Sequence, residues 1–163
     1  MCGILEVDDT KRPKRPKPYV RITRPTEEDV NPLWQWGEEN RELWSDKKSK
    51  WYPKDTLTDW IKNPRNDILL VAKNGMKKPI GMCMTYAMRG WGYCTGLFVD
   101  TGYRRKGIAT QLLKETIRQL KKQHISHFTF NVDPSNRKGL RLYKKLGFQT
   151  GYSSICVYKT LDS

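Results

Sequence analysis

The chain is poor in the residues that hold metals and run hydrolytic triads. Of 163 residues only two are histidine and four are cysteine. The cysteines, Cys2, Cys83, Cys94 and Cys156, have neither CxxC nor any other metal-ligand spacing, so free thiols in a reducing compartment are expected. Long apolar runs are missing as well. Nothing approaches the roughly 20 residues that span a bilayer, and no apolar core of a signal peptide is present. These absences predict a soluble, cytoplasmic protein without membrane contact. Acids are scarce too: 17 Asp and Glu stand against 31 Lys and Arg, a formal charge of +14. That excess suits a phosphorylated small molecule or a nucleic acid, and it equally suits a plain solvated surface.

What is present is aromatic. Six Trp and eight Tyr accompany a hydrophobic content of 37%, so large rings must do much of the burying. The length fits one domain with a real core. Residues 1–18 end in K-R-P-K-R-P-K-P, which neither forms a helix nor buries a core. They read as an extended basic arm, a solubilising tail or a weak tether to nucleic acid or the ribosome, and the domain proper spans 19–163.

Within that domain Tyr19 to Arg24 alternates as a strand, and Thr26 followed by Glu27, Glu28 and Asp29 is a helix start. A helix is predicted from Val30 to Trp44, with Leu33, Trp36, Leu43 and Trp44 on its stripe, and a second from Asp55 to Lys62. Three strands follow, 68–73, 79–88 and 91–99, joined at Asn74-Gly75 and Arg89-Gly90 as antiparallel hairpins. After Gly107, Ile108, Leu112, Leu113, Ile117 and Leu120 share one helical face. A strand from Ile125 to Val132, a helix opened by Pro134-Ser135 and stopped at Gly147, and a last strand at Ile155 to Tyr158 complete the order.

Two segments carry chemistry. In V-D-T-G-Y-R-R-K-G-I-A-T (99–110), Arg104-x-x-Gly107-x-Ala109 places small residues and three cations where a strand turns into a helix, a seat suited to phosphate. The second, N-R-K-G-L-R-L-Y-K-K-L-G-F (136–148), lies downstream across a strand-like stretch. In this order they resemble motifs A and B of the GNAT family of N-acetyltransferases, R/Q-x-x-G-x-G/A and N-x-x-A/G-x-x-L/F-Y-x-K-x-G-F, over about residues 93–152. The resemblance implies an α/β fold with a mixed, centrally splayed sheet flanked by helices. It also implies acetyl-CoA as co-substrate and a primary amine as acceptor.

By the same resemblance, the backbone around Arg105, Lys106, Gly107, Ile108, Ala109 and Thr110 would cradle the pyrophosphate, with Arg104, Arg105 and Lys106 adding charge. Main-chain groups of Phe98 and Val99 would bind pantetheine and polarise the acetyl carbonyl. Asn136 would contact the coenzyme, and Tyr143 would be the general acid toward the departing thiolate. The base is less plain. Many members place a Glu on the strand before motif A, and this strand has none. Tyr93 stands where some protein amino-terminal acetyltransferases have a catalytic Tyr, but the His of those members is replaced by Asn131.

Alternation would put Tyr93, Thr95, Leu97 and Val99 on one face, with Tyr93 and Thr95 toward the acceptor. His127, on the strand face of Asn131, reads as an ordinary strand residue, and Glu38, Glu39 and Glu42 as a solvated helix face that could also greet an amine. At pH 7.4 an α-amine of pKa about 7.8 is roughly a quarter neutral, whereas lysine near 10.4 is about 0.1% neutral. A site without a strong base therefore suits a protein or peptide N-terminus. Polyamine or aminoglycoside acceptors, or a non-catalytic module binding acetyl-CoA or RNA, are the alternatives.

Overall fold

The computed structural model describes residues 19–40 and 51–152. The basic arm, the calls on Glu42, Leu43 and Trp44, the strand at Ile155 to Tyr158, and Cys2 and Cys156 lie outside the described residues.

Strand β1 (Arg21–Thr23) leads through a 3-10 turn (Glu27–Asp29) into α1 (Val30–Glu39), followed by α2 (Lys54–Lys62). Strands β2 (Ile68–Lys73), β3 (Pro79–Met88) and β4 (Trp91–Val99) come next, then α3 (Ile108–Lys122), β5 (His127–Thr129) and α4 (Arg137–Lys145). The five strands lie in chain order, β1-β2-β3-β4-β5. Every neighbour is antiparallel except β4 and β5, which run parallel because α3 carries the chain back across the sheet.

The two hairpins close as expected. The Asn74 carboxamide oxygen accepts the Met76 and Lys78 N–H groups at 3.1 and 3.0 Å, and Gly90 takes the left-handed conformation its tight turn needs. The entry to α1 is held from below. Asp29, 2% exposed, accepts the Thr26 N–H at 2.7 Å and its hydroxyl at 3.2 Å, and pairs with Lys73 Nζ of β2 at 2.8 Å.

Two cores flank the sheet. On one side α1 and α2 bury Leu33, Leu57 and Trp60 against Leu69, Val71, Met82, Met84 and Phe98. On the other, α3 buries Ile108, Leu112, Leu113 and Leu120 against Ile68, Leu70, Ile80, Cys83 and Cys94. The helical stripe of α3 is as the sequence predicts, except that Thr116 is fully buried while Ile117 is only half-buried. The fifth strand is shorter than its apolar pattern, three residues rather than eight, because β5 leaves the sheet after Thr129. Among the described residues no helix is long and apolar enough to cross a membrane.

Candidate active site

The site begins where β4 loses its neighbour. Trp91, Gly92 and Tyr93 pair with His127, Phe128 and Thr129. Beyond that point β4 runs on to Val99 with β3 alone among the described strands. A bulge marks the parting: Met84 faces Gly96 and Thr85 faces Cys94, so Thr95 is one residue too many, and its hydroxyl donates to the Met84 carbonyl at 3.3 Å. A bulge bends and twists its strand, which opens β4 away from β5.

The extra residue also inverts the side-chain parity expected from simple alternation. Cys94, Leu97 and Val99 pack on the α3 side, and Phe98 on the α1–α2 side. Tyr93, next to Cys94 and opposite Tyr86, therefore faces α1 and α2, away from Leu97 and Val99. The single-face grouping of Tyr93, Thr95, Leu97 and Val99 is thus corrected by the bulge.

Main-chain parity follows the same logic. Asp100 N–H donates to the Ile80 carbonyl at 3.0 Å, which makes those two a hydrogen-bonded pair of the antiparallel ladder. Two residues back, the N–H and C=O of Phe98 turn to Met82, while those of Leu97 and Val99 turn to the open side. On this parity the strand end turns the main chain of Leu97 and Val99, and not that of Phe98, to the open side. The Val99 carbonyl accepts Arg104 Nε at 2.9 Å, and the guanidinium lies 5.6 Å from the Phe98 ring centre.

The loop that follows is built for an anion. Arg105 and Gly107 both have positive φ, +66° and +78°, in a turn that leads directly into α3. Successive turns of this kind gather backbone N–H groups into a concavity. Nothing lies within 4 Å of where a Gly107 side chain would begin, so the backbone stands open to a ligand. Gln111 is the first α3 residue whose N–H reaches back, to the Gly107 carbonyl at 3.1 Å. Those of Ile108, Ala109 and Thr110 have no intrahelical acceptor, and the positive end of the helix dipole coincides with them. Lys106 donates to the Gly102 carbonyl at 2.9 Å beside the Tyr103 ring, and Arg105 is exposed. Backbone donors, cations and open space together fit the phosphates of a coenzyme.

Helix α4 brings the second motif. Asn136 caps it, its side-chain oxygen accepting the Gly139 N–H at 2.9 Å. Tyr143 packs edge-on to Phe130 with ring centres 4.6 Å apart, and Phe148 completes the cluster. Burial, aided by the nearby thiols of Cys94 and Cys83, pushes the Tyr143 phenol up to about 12, so it keeps its proton at neutral pH. Those two thiols are free and buried, with sulfurs 3.8 Å apart.

The α1–α2 side holds groups the sequence does not announce. Tyr52 and Tyr86 join hydroxyls at 2.8 Å, and Tyr86 stacks on Trp60 with centres 4.8 Å apart. Trp60 Nε1 donates to one Asp67 oxygen at 2.7 Å, and the other oxygen accepts the Ala87 N–H at 2.8 Å. Asn131 Nδ2 donates to Tyr93 Oη at 3.3 Å. Tyr52 and Tyr86 lie 34 residues apart, and Asp67 reads as a loop acid; only the aromatic richness around 51–60 hints at them. Glu39 accepts Gln35 Nε2 at 2.6 Å on an exposed helix face, and His127 packs on Trp91 at 4.6 Å.

Known proteins share part of this sequence and the fold. A curated relative, N-alpha-acetyltransferase 30 of Xenopus laevis, is 39% identical over 57 residues, 35% of this chain and 21% of the relative. The chain thus matches about a fifth of that relative's length. Among solved structures, the paiA N-acetyltransferase of Thermoplasma acidophilum in complex with coenzyme A superposes with TM-score 0.72 at 21% identity, over 83% of this chain and 93% of that one. An aminoglycoside acetyltransferase from an uncultured soil metagenomic sample, in complex with trehalose, gives TM-score 0.69 at 20% identity over 88% and 97%. Both share the fold. The profile of the acetyltransferase (GNAT) family matches residues 32–148, well over half the sequence, and the chain belongs to that family.

Proposed function

We propose that the protein is an acetyl-CoA-dependent N-acetyltransferase whose acceptor is the α-amine of a protein or peptide N-terminus. The coenzyme would be held by the backbone of residues 105–110 with Arg104, Arg105 and Lys106, by Asn136, and by the open main chain of Leu97 and Val99. It supplies the acetyl group already activated as a thioester. Tyr143 holds the proton that a departing thiolate needs, and its burial keeps that proton in place.

The observation that carries the α-amine is the state of Asp67. This is the carboxylate set against the tyrosines of the acceptor face, and both its oxygens are engaged by Trp60 and Ala87. Both oxygens hold structural donors, and a lysine would have to find about 3 kcal/mol more than an α-amine to arrive neutral. Tyr93, whose oxygen accepts Asn131 Nδ2, would hold a water that takes the amine's proton to solvent. The stretch of similarity to an N-alpha-acetyltransferase supports the same reading.

Coenzyme A release from acetyl-CoA, measured across N-terminal peptides, a lysine peptide, spermine and an aminoglycoside, tests it. Turnover is expected with the N-terminal peptides, and Tyr143→Phe should lower it by about a hundredfold or more. Reaction confined to lysine, spermine or the aminoglycoside overturns the acceptor. Tight acetyl-CoA binding with no turnover on any amine overturns the enzyme itself.

A further inference from the structure

One end of the sheet carries an aromatic ledge left half in solvent. Met88 and Trp91 are direct cross-strand partners on β3 and β4, and Trp91 pairs in turn with His127 of β5. Side chains paired in this way share a face of the sheet. The other face at this point belongs to α3, since a Cβ on Gly92 would fall 2.7 Å from Leu120. Met88, Trp91 and His127 therefore stand on the α1–α2 side. Helix α2 covers the row before them, where Trp60 stacks on Tyr86. The next row is open: Met88 is 50% exposed, Trp91 52%, and His127 is exposed as well.

A Trp and a Met side by side in water forgo the burial that usually places such residues in a strand, and an apolar patch of this kind marks a contact surface. The ledge is also preformed. Trp91 lies on His127 with ring centres 4.6 Å apart, so little rotamer freedom is left to lose when a partner arrives. Its position says which partner. Tyr93, joined to Asn131 at 3.3 Å, stands on the same face two residues along β4 from Trp91. Two strand residues span about 6.5 Å, and an extended acceptor peptide advances by the same amount in two of its own. A peptide whose amine lies at Tyr93 and which runs along β4 toward the hairpin thus brings its third side chain over Trp91.

We propose that Met88, Trp91 and His127 form a subsite that selects acceptors with an apolar or aromatic third residue. The inference rests on the α-amine reading and adds which N-termini are taken. Trp91 is the centre of the subsite, because a Leu or Phe side chain laid on its ring removes apolar surface of both from water. Met88 borders it as an adaptable edge. These residues touch the acceptor's side chain and not the reacting atoms, so they act on KM for the peptide rather than on the transfer step.

The test is kcat/KM at saturating acetyl-CoA for peptides of one length that differ only at the third residue, Leu, Phe, Ala or Ser. Wild type should favour Leu and Phe by about tenfold, with the difference residing in KM. Trp91→Ala should erase that preference and Trp91→Phe should keep most of it, while KM for acetyl-CoA stays as in wild type. Melting temperatures verify the fold. Equal rates on all four peptides in wild type overturn the subsite, as does a Trp91→Ala variant that keeps the preference. A preference of the same size at the sixth residue marks general adhesion and overturns it too. If Trp91→Ala does not fold, Met88→Ala decides by the same criterion. Wild type that turns over no peptide but accepts lysine or a small amine would instead defeat the α-amine reading, and the subsite would fall with it.

Discussion

On the α3 side of the sheet the filling is aliphatic: Ile68, Leu70, Ile80, Leu112, Leu113 and Leu120, with two thiols and the Thr116 hydroxyl among them. On the α1–α2 side rings dominate, and Trp36, Trp51, Tyr52, Trp60, Tyr86 and Phe98 make a run of tilted, edge-on and stacked contacts. Aliphatic side chains fill space without direction, so that side serves to anchor α3 and the turn at Gly107 that opens it. Rings with hydroxyl and N–H groups need partners at set angles. The α1–α2 side is therefore more costly to build and more exacting.

Substitutions on the two sides should separate them. The largest effect belongs to Asp29→Ala, which leaves the ammonium of Lys73, 17% exposed, without its partner and uncouples α1 from β2. Urea unfolding should show a loss of about 3–5 kcal/mol. Next is Gly37→Ala. Trp51 lies flat against Gly37, so a Cβ there would fall 2.1 Å from the indole. Overpacking of this kind costs about 1–3 kcal/mol, and the shifted Trp51 should raise KM for the acceptor while leaving the affinity for acetyl-CoA unchanged. The smallest is Thr116→Val on the aliphatic side. Its hydroxyl meets the Leu112 carbonyl at 3.0 Å and Cys83 Sγ at 3.3 Å, and its removal should cost no more than about 1 kcal/mol in the same unfolding measurement, with KM unmoved. A Thr116→Val cost above that of Gly37→Ala would invert the comparison.

The same division governs what could be read from residues alone. Helix α3 is legible because Gly107 marks its start and Ile108, Leu112, Leu113 and Leu120 keep a 3.6-residue period. The hairpins are legible because Asn74-Gly75 and Arg89-Gly90 carry turn chemistry. The bulge is not, since Thr95 is as ordinary a strand residue as its neighbours and only the pairing reveals that it is surplus. Its cost was the assignment of Tyr93 to the face of Leu97 and Val99. Asp29 and Asp67 look like surface acids in sequence, yet each ties together elements distant along the chain. Helix α1 stops at Glu39, where the Asn40 side chain donates to the Trp36 carbonyl, five residues before the apolar pattern ends. Helical periodicity therefore located α3 and the turn before it, while the Tyr52–Tyr86 contact, made between separated segments, left no period to find.

The order of the strands has a consequence for cooperativity. Strands β2, β3 and β4 are antiparallel neighbours close in the chain, and such a meander closes with little loss of loop entropy. The β4–β5 joint differs: it is parallel, it must wait for α3 to cross, and it is three residue pairs long. The seam is as short as the β1–β2 pairing at the other edge of the sheet, and it adjoins the gap beside Leu97 and Val99. A ligand bridging that gap from Leu97 and Val99 to α4 would supply the linkage the short joint lacks. Substrate binding and completion of the fold would then be one event, read as slowed amide exchange in β5 when acetyl-CoA is added.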